Sequence, residues 1–530
     1  MTTNGFPQSG LLRARRVLSQ QPGADGDSVW WQDGSIRAVG SALDLERRVP
    51  TRVPRFDLPN ATVTPGFVDG HTHFAMWALG RSRVHLAGAR TPAEALSRIA
   101  AAVAEQGWIR GHGWDANRWE AAPDRWSLDA VTNLPAFLES IDVHAAWVNS
   151  AALTAAGIDR SRADPPGGRI VRDANGEPTG LLLERAQELV RAVLPPSDPV
   201  RLHAAIREAQ AEAHRFGITG IHDVEAPDAL RAFRALEAED ALRLRVLFHP
   251  PVAQLPTLLA NGVRSGLGSP WLALGGIKLF LDGSLGSRTA WMLAPYEDGR
   301  DSGMALTSAE TARRAVEAAA RSGISCTVHA IGDAAVRRAL DLLEPLPTLA
   351  VPHRIEHFQC VHPDDIGRAA ARGIVVSMQP AHLPGDVHLA EERWGNRSRG
   401  AYAARTLLEH GTVLAFGSDV PVASIDPRPG VAAAMNRVAA DGRYPSGWNP
   451  AERLSFAQTL RAFTLGNAIA AGQAGHRGRL APGYDADLVA WEVDPAVEAG
   501  DGAAFAAGRA VLTVVGGEVV FRLPASPSSD

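Results

Sequence analysis

The sequence predicts an α/β protein whose middle is a (β/α)8 barrel, with a small sheet domain built from both chain ends and a large insertion after the first barrel strand. Three observations predict it. Short apolar runs along the middle of the chain are each followed by an Ala/Arg/Glu-rich helical stretch, the alternation that builds parallel sheets from βα units. The runs number eight, at 63–73, 217–224, 242–250, 275–283, 324–330, 353–359, 374–380 and 412–420, and eight is what a closed barrel requires. The chain ends read instead as short strands and tight turns. An open doubly wound sheet uses the same alternation and is the alternative architecture.

The ends come first. "SVWWQDGSIRAVG" alternates around Asp33-Gly34, a hairpin signal. "ADLVAWEV" and then "AVLTVVGGEVVF", with Gly516-Gly517 at a turn, repeat the pattern near the C-terminus. Residues 1–62 and 466–530 are assigned to one composite domain and 63–465 to the barrel. The first barrel run ends at 73 and the second begins at 217, far beyond an ordinary βα connection. The intervening stretch, 74–200, carries "IRGHGWDANRW" and "LPAFLESIDVHAAWVNSAAL" and is expected to cover the barrel mouth. The tail "PASPSSD" is expected to be disordered.

Composition narrows the classes. A chain of 530 residues with 45% hydrophobic and 21% charged content is ordinary for a soluble globular protein. A net charge of −5 without a Lys/Arg cluster argues against a nucleic-acid partner. No apolar run reaches the roughly 18 residues of a membrane span. Arg15-Arg16 is followed by "VLSQQPGADGDS" rather than the apolar segment of an export signal, so a cytoplasmic location is expected. Cys326 and Cys360 cannot make a disulfide framework and read as small buried hydrophobes.

Of the 53 basic residues only Lys278 is lysine, and it sits inside the apolar run Ile277–Leu281. Other runs also end in residues that an apolar strand has no packing reason to carry: His71 and His73, His329, His357 and Asp419. Barrel strands converge at their C-terminal ends, so these residues would meet. Taken singly, a strand histidine is more often a hydrogen-bonded core residue, and Asp419 in "GSDVP" can be a turn aspartate. His-x-His is stronger, since alternate strand residues face the same way and both imidazoles can address one ion. A lysine ammonium would repel that ion. A neutral lysine amine can add carbon dioxide to become an anionic, bridging carbamate, and burial near cations favours the neutral amine. Arginine stays protonated and cannot follow.

"PGFVDGHTH", the lysine strand, "TVHAIGD", "RIEHFQ" and "FGSDVP", in this order, resemble the amidohydrolase superfamily. The resemblance is closest to amidohydrolase family 3, the branch of N-substituted formamide deformylase-like enzymes, through "GHGWDANRW", "HAAWVNSAAL", "DGSLGSRTA" and "SMQPAH". It implies a metal-dependent TIM barrel with a β-sandwich made from both chain ends. It also implies that His71, His73 and Asp419 hold one metal, that His329 and His357 hold a second, and that carbamylated Lys278 bridges them. Zinc is expected, as one or two ions, with iron or manganese as alternatives.

The function expected from this set is hydrolysis of an amide or N-formyl/N-acyl C–N bond in a small-molecule substrate by metal-activated hydroxide, with Asp419 as proton shuttle. Arg288 is expected to bind substrate or to make a surface ion pair, and Trp114 and Asp115 to line the entrance or to serve in core packing or a helix cap. His144, His222 and His382 are expected to touch substrate or support the ligands from behind; a homodimer is a further expectation. One rival is a deaminase of the same superfamily, with Asp333 in "HAIGD" as an acid. Another is a binding or regulatory homologue without catalysis. Lys278 argues against the first, since a mononuclear deaminase site needs no bridging carbamate, and the complete ligand set argues against the second.

Overall fold

The structure is a computed structural model that describes residues 8–524. The expected disorder of the tail falls, beyond Pro524, outside the described residues.

Strands from both chain ends form one seven-stranded sheet, in the order Glu518–Arg522, Arg509–Val515, Leu488–Glu492, Arg55–Pro65, Gly10–Val17, Gly26–Gln32, Ser35–Gly40. The strands are hydrogen-bonded in one continuous order, with both chain ends contributing to it. Both hairpins read from the sequence are present. Asp33 and Gly34 have φ of 53° and 76°, and Gly516 and Gly517 have φ of 57° and 81°, the doubly positive pair that two-residue hairpin turns need. A core of Leu12, Val29, Trp31, Val63, Leu488 and Val514 fills this domain. Arg55–Pro65 lies between the N-terminal and C-terminal strands and leads, through Gly66, directly into the next sheet.

The middle of the chain supplies eight parallel strands: β1 (Phe67–Thr72), β2 (Ile218–Val224), β3 (Arg245–His249), β4 (Ile277–Phe280), β5 (Cys326–Ala330), β6 (Arg354–His357), β7 (Val375–Met378) and β8 (Leu414–Phe416). β1, β2 and β3 pair in sequence order, as do β4 through β8. The two sheets meet twice. Leu272–Leu274 pairs with β3, and the chain then runs through Gly275-Gly276 into β4, where the Lys278 amide donates to Pro250 O at 2.8 Å. At the other seam Thr72 bridges Val420, and the Asp419 amide donates to His71 O at 2.8 Å. This cyclic order is the one a (β/α)8 barrel uses.

Helices outside the strands are amphipathic for local reasons. In Ala309–Arg321, Ser308 caps the Thr311 amide, Glu310 and Arg321 sit at the ends the helix dipole favours, and Ala312, Val316, Ala319 and Ala320 face inward. The insertion folds as its own six-stranded sheet, in the order Gly168–Arg172, Pro178–Glu184, Ala145–Val148, Ala136–Ser140, Ile109–Trp114, Val84–His85. No described helix is long and apolar enough to cross a membrane.

The seam between β1 and β8 positions the first histidines. Two glycines of the quoted motifs allow it. A Cβ on Gly417 would lie 2.4 Å from the His71 amide nitrogen, and one on Gly70 would lie 2.8 Å from Phe416 O. Asn467 closes the seam from below: its side-chain amide donates to Val68 O at 2.6 Å and to Phe416 O at 2.9 Å. Asn467→Ala removes both bonds from a buried site, so the urea unfolding midpoint should fall by an amount equivalent to about 2–4 kcal/mol. An unchanged midpoint would show that the seam holds without this amide.

Candidate metal centre and active site

The C-terminal ends of the strands bring the histidines, the lysine and the aspartate together. His71, His357 and Asp419 each place a ligand atom within 4.8 Å of the others. His73 Nε2 lies 3.3 Å from Asp419 Oδ1, and Lys278 Nζ lies 3.4 Å from His71 Nε2. The His329 ring packs on His357 with centroids 4.4 Å apart. All six are buried or nearly so.

Each imidazole has one nitrogen occupied. His71 Nδ1 meets Glu356 Oε2, His73 Nδ1 donates to Val224 O at 2.7 Å, and His357 Nδ1 donates to Gln379 Oε1 at 2.8 Å. These bonds put the proton on Nδ1 and turn a bare Nε2 toward the cluster, as metal-binding imidazoles require. His329 is reversed: Nε2 donates to Gly283 O at 3.1 Å, and Nδ1 has no hydrogen-bond partner among the described residues. Asp419 Oδ1 is also a buried acceptor without a hydrogen bond among the described residues. Bare imidazole nitrogens and an orphaned carboxylate oxygen, converging in a buried site, suit a divalent cation. Burial lowers the Lys278 pKa to about 8, against the pull of the Glu356 and Asp419 carboxylates, so a neutral amine is accessible near neutral pH.

Two chambers meet at this cluster. One of about 440 Å3 is lined by His71, His73, His144, Lys278, His329 and Phe280; the other, about 200 Å3, by Asp115, Asp142, His144, His382 and Asp386. His357 and Asp419 line both. His144 stands between them. Its Nδ1 lies 2.9 Å from Glu184 Oε2, and although burial disfavours its charge, Glu184 raises its pKa to about 9.

The structure separates the remaining sequence candidates. Asp115 and His382 reach the smaller chamber, Asp115 while capping the Asn117 amide and His382 with Nε2 3.0 Å from Ser418 O. Trp114 does not reach it: the indole donates to Leu138 O at 2.8 Å and packs among Trp119 and Trp147 inside the insertion. His222 lies beneath the cluster, its Nδ1 2.8 Å from Arg354 Nη1, and lines neither chamber. Arg288 turns away to pair with Asp298, with Nη2 2.7 Å from Oδ1, and covers the Tyr296 ring. The loop "DGSLGSRTA" thus brings hydroxyls rather than a guanidinium to the site. Ser284 and Ser287 donate to Asp142 Oδ2 at 2.6 and 2.7 Å, and Thr289 donates to Glu184. Asp333 accepts from the Leu293 amide at 2.7 Å and lines neither chamber, so it is not placed as a deaminase acid.

The profile of the amidohydrolase family matches residues 55–521. The chain belongs to the amidohydrolase family. It is 32% identical over 489 residues to the protein YtcJ of Bacillus subtilis (strain 168), covering 88% of this chain and 91% of that one. To the N-substituted formamide deformylase of Arthrobacter pascens it is 26% identical over 497 residues, covering 87% and 89%. Among solved structures, an uncharacterized metal-dependent hydrolase of Pyrococcus horikoshii OT3 superposes with a TM-score of 0.77 at 26% identity, over 93% of this chain and 99% of that one. The family read from the motifs is the family that these likenesses give.

Sequence reasoning missed the groups that hold the amidohydrolase site in place. Glu356 lies in the quoted "RIEHFQ" and orients His71. Asp282, in "DGSLGS", accepts from the amides of Trp291, Ile331 and Gly332 at 2.8 to 3.0 Å and ties the end of β4 to the loop after β5. A carboxylate inside an apolar strand run was the available signal for both. Glu356→Gln keeps the shape but weakens the hold on the His71 tautomer. It should reduce divalent-metal affinity by about 10–100-fold in equilibrium dialysis; affinity equal to wild type would remove Glu356 from that role.

Proposed function

We propose that this amidohydrolase is a metal-dependent hydrolase of a carbon–nitrogen bond in an amide, N-formyl or N-acyl compound. The observation that carries the reading is the buried convergence of His71, His357 and Asp419 within 4.8 Å, beside the chain's one lysine. In this reading the (β/α)8 barrel presents two half-sites. His71, His73 and Asp419 would hold one ion and His329 and His357 another, with Lys278, as a carbamate, shared between them. A divalent ion there, zinc first and iron or manganese as alternatives, supplies Lewis acidity and a water acidic enough to ionise near neutral pH.

The chain's own groups do the rest. Asp419, which lines both chambers and whose Oδ1 has no hydrogen bond among the described residues, takes a proton from the attacking water and delivers it to the departing nitrogen. The balance is one amide plus one water giving one carboxylic acid and one amine. His144, held by Glu184, lies on the wall shared by the chambers and is placed to hydrogen-bond the substrate near the scissile bond. The name of the Arthrobacter pascens relative supports formamides as the first compounds to try.

Purified protein should contain a transition metal, and a hydrolysis screen across N-formyl, N-acyl and cyclic amides should release an acid and an amine. Ammonia as the only nitrogen product would point to deamination instead. Lys278→Ala should lose metal and lower kcat by more than about 100-fold, with partial recovery when a short carboxylate is added. Full activity in the unrescued variant would remove Lys278 from the bridging role.

A further inference from the structure

The larger chamber opens into a further cavity of about 600 Å3. The residues the two share include His73, Met76, Glu188, Arg191, Lys278 and Phe280. Leu79, Leu194 and Leu202 give this cavity apolar lining, and the insertion contributes Arg83 and Arg110, neither of which lines the larger chamber.

The three guanidiniums around this cavity differ in how they are held. Arg83 is gripped by Glu105, Nε to Oε2 at 2.8 Å and Nη2 to Oε1 at 3.1 Å. Arg191 donates to Glu139 and to Glu188, each at 2.7 Å. Arg110 makes no side-chain hydrogen bond among the described residues. Its nearest carboxylate oxygen, Glu105 Oε1, is 3.7 Å away and already serves Arg83 and Arg201. Yet the Arg110 side chain is only 16% exposed. Its one ion-pair partner is thus distant and shared, and its donors are left to the cavity it lines; a largely buried guanidinium gains from an acceptor there. Burial, with Arg83 alongside, brings its pKa down to about 10.

A guanidinium offers a planar fork of donors that matches a carboxylate bidentately. Glu139, Glu188, Glu225 and Asp228 also line the cavity, Glu139 and Glu188 already paired with Arg191, and this acidic lining opposes a dianion more than a single carboxylate. We infer that Arg110 is an anion-binding residue of the substrate site, and that the substrate is an amide carrying a carboxylate remote from the scissile bond, joined to it by an apolar spacer lying along Met76 and Phe280. The inference rests on the reading of the site as a C–N hydrolase and names its substrate class.

The test compares N-formyl-ω-amino acids of increasing chain length with the N-formyl-alkylamines of the same length. Calorimetric binding is measured on full-length, metal-stripped protein, and turnover on the metal-loaded protein. At one chain length the carboxylate compound should bind at least about 10-fold tighter than its neutral twin, and the preference should shrink as salt is raised. In Arg110→Gln the ratio should collapse to near one, and Arg110→Lys should restore part of it, with circular dichroism confirming that both variants fold. The wild-type comparison stands even if neither does. A preference at no chain length, or one that survives in folded Arg110→Gln, overturns the proposal. Binding preference without hydrolysis of any member would keep the anion site and sink the hydrolase reading. Hydrolysis of both series without preference would do the reverse.

Discussion

A guanidinium can lie in the middle of a barrel only if its donors find acceptors there, and the site depends on Arg354 meeting that condition. Arg354 is 1% exposed. Its Nη2 donates to Gly70 O at 2.6 Å and Ser377 Oγ at 2.9 Å, its Nη1 meets His222 Nδ1 at 2.8 Å, and its fork grips Glu356. Those partners come from β1, β7, β2 and β6. One side chain thus couples four strands, and the carboxylate it compensates holds the Nδ1 proton of His71. Burial disfavours ionisation of Glu356, but Arg354 and His71 hold its pKa well below the usual carboxylate range. The charge that orients the first histidine is therefore kept below the pH at which an ordinary carboxylate would lose it. The ligand cluster is the top of a polar column that begins in the barrel core.

The insertion is attached by the same kind of bond. Asp142 accepts from Ser284 and Ser287, and Glu184 accepts from Thr289. Both carboxylates belong to the insertion, and all three hydroxyls follow β4. The segment that carries the lysine into the cluster is thus the segment on which the insertion docks. This explains why His144, whose neighbour two residues back is Asp142, reaches the shared wall of the two chambers. The walls that would select a substrate are held by buried, charge-assisted bonds rather than by exposed ion pairs, which contribute little.

Much of this was legible along the chain. Alternating βα runs predicted the parallel strands, and the doubly left-handed turns at Asp33-Gly34 and Gly516-Gly517 followed from residue type alone, because few residues accept positive φ at two adjacent positions. The cluster was legible because histidine, lysine and aspartate at strand ends have no packing reason to be there. Of the two roles the sequence left open for each of Arg288, Trp114 and His222, the structure shows the one away from substrate. Each was drawn to the site by its position in a motif, but its side chain found a nearer partner: Asp298, the aromatic core of the insertion, and Arg354.

By itself the sequence determined which residues could do chemistry and on which strands they lie, since both follow from residue type and local periodicity. Only the tertiary structure decided which of them face the cavity, because orientation is set by acceptors contributed from hundreds of residues away. Arg110 shows the difference most clearly. Along the chain it is one of 52 arginines; in the fold, the carboxylates around it are already taken, and it is left facing the cavity.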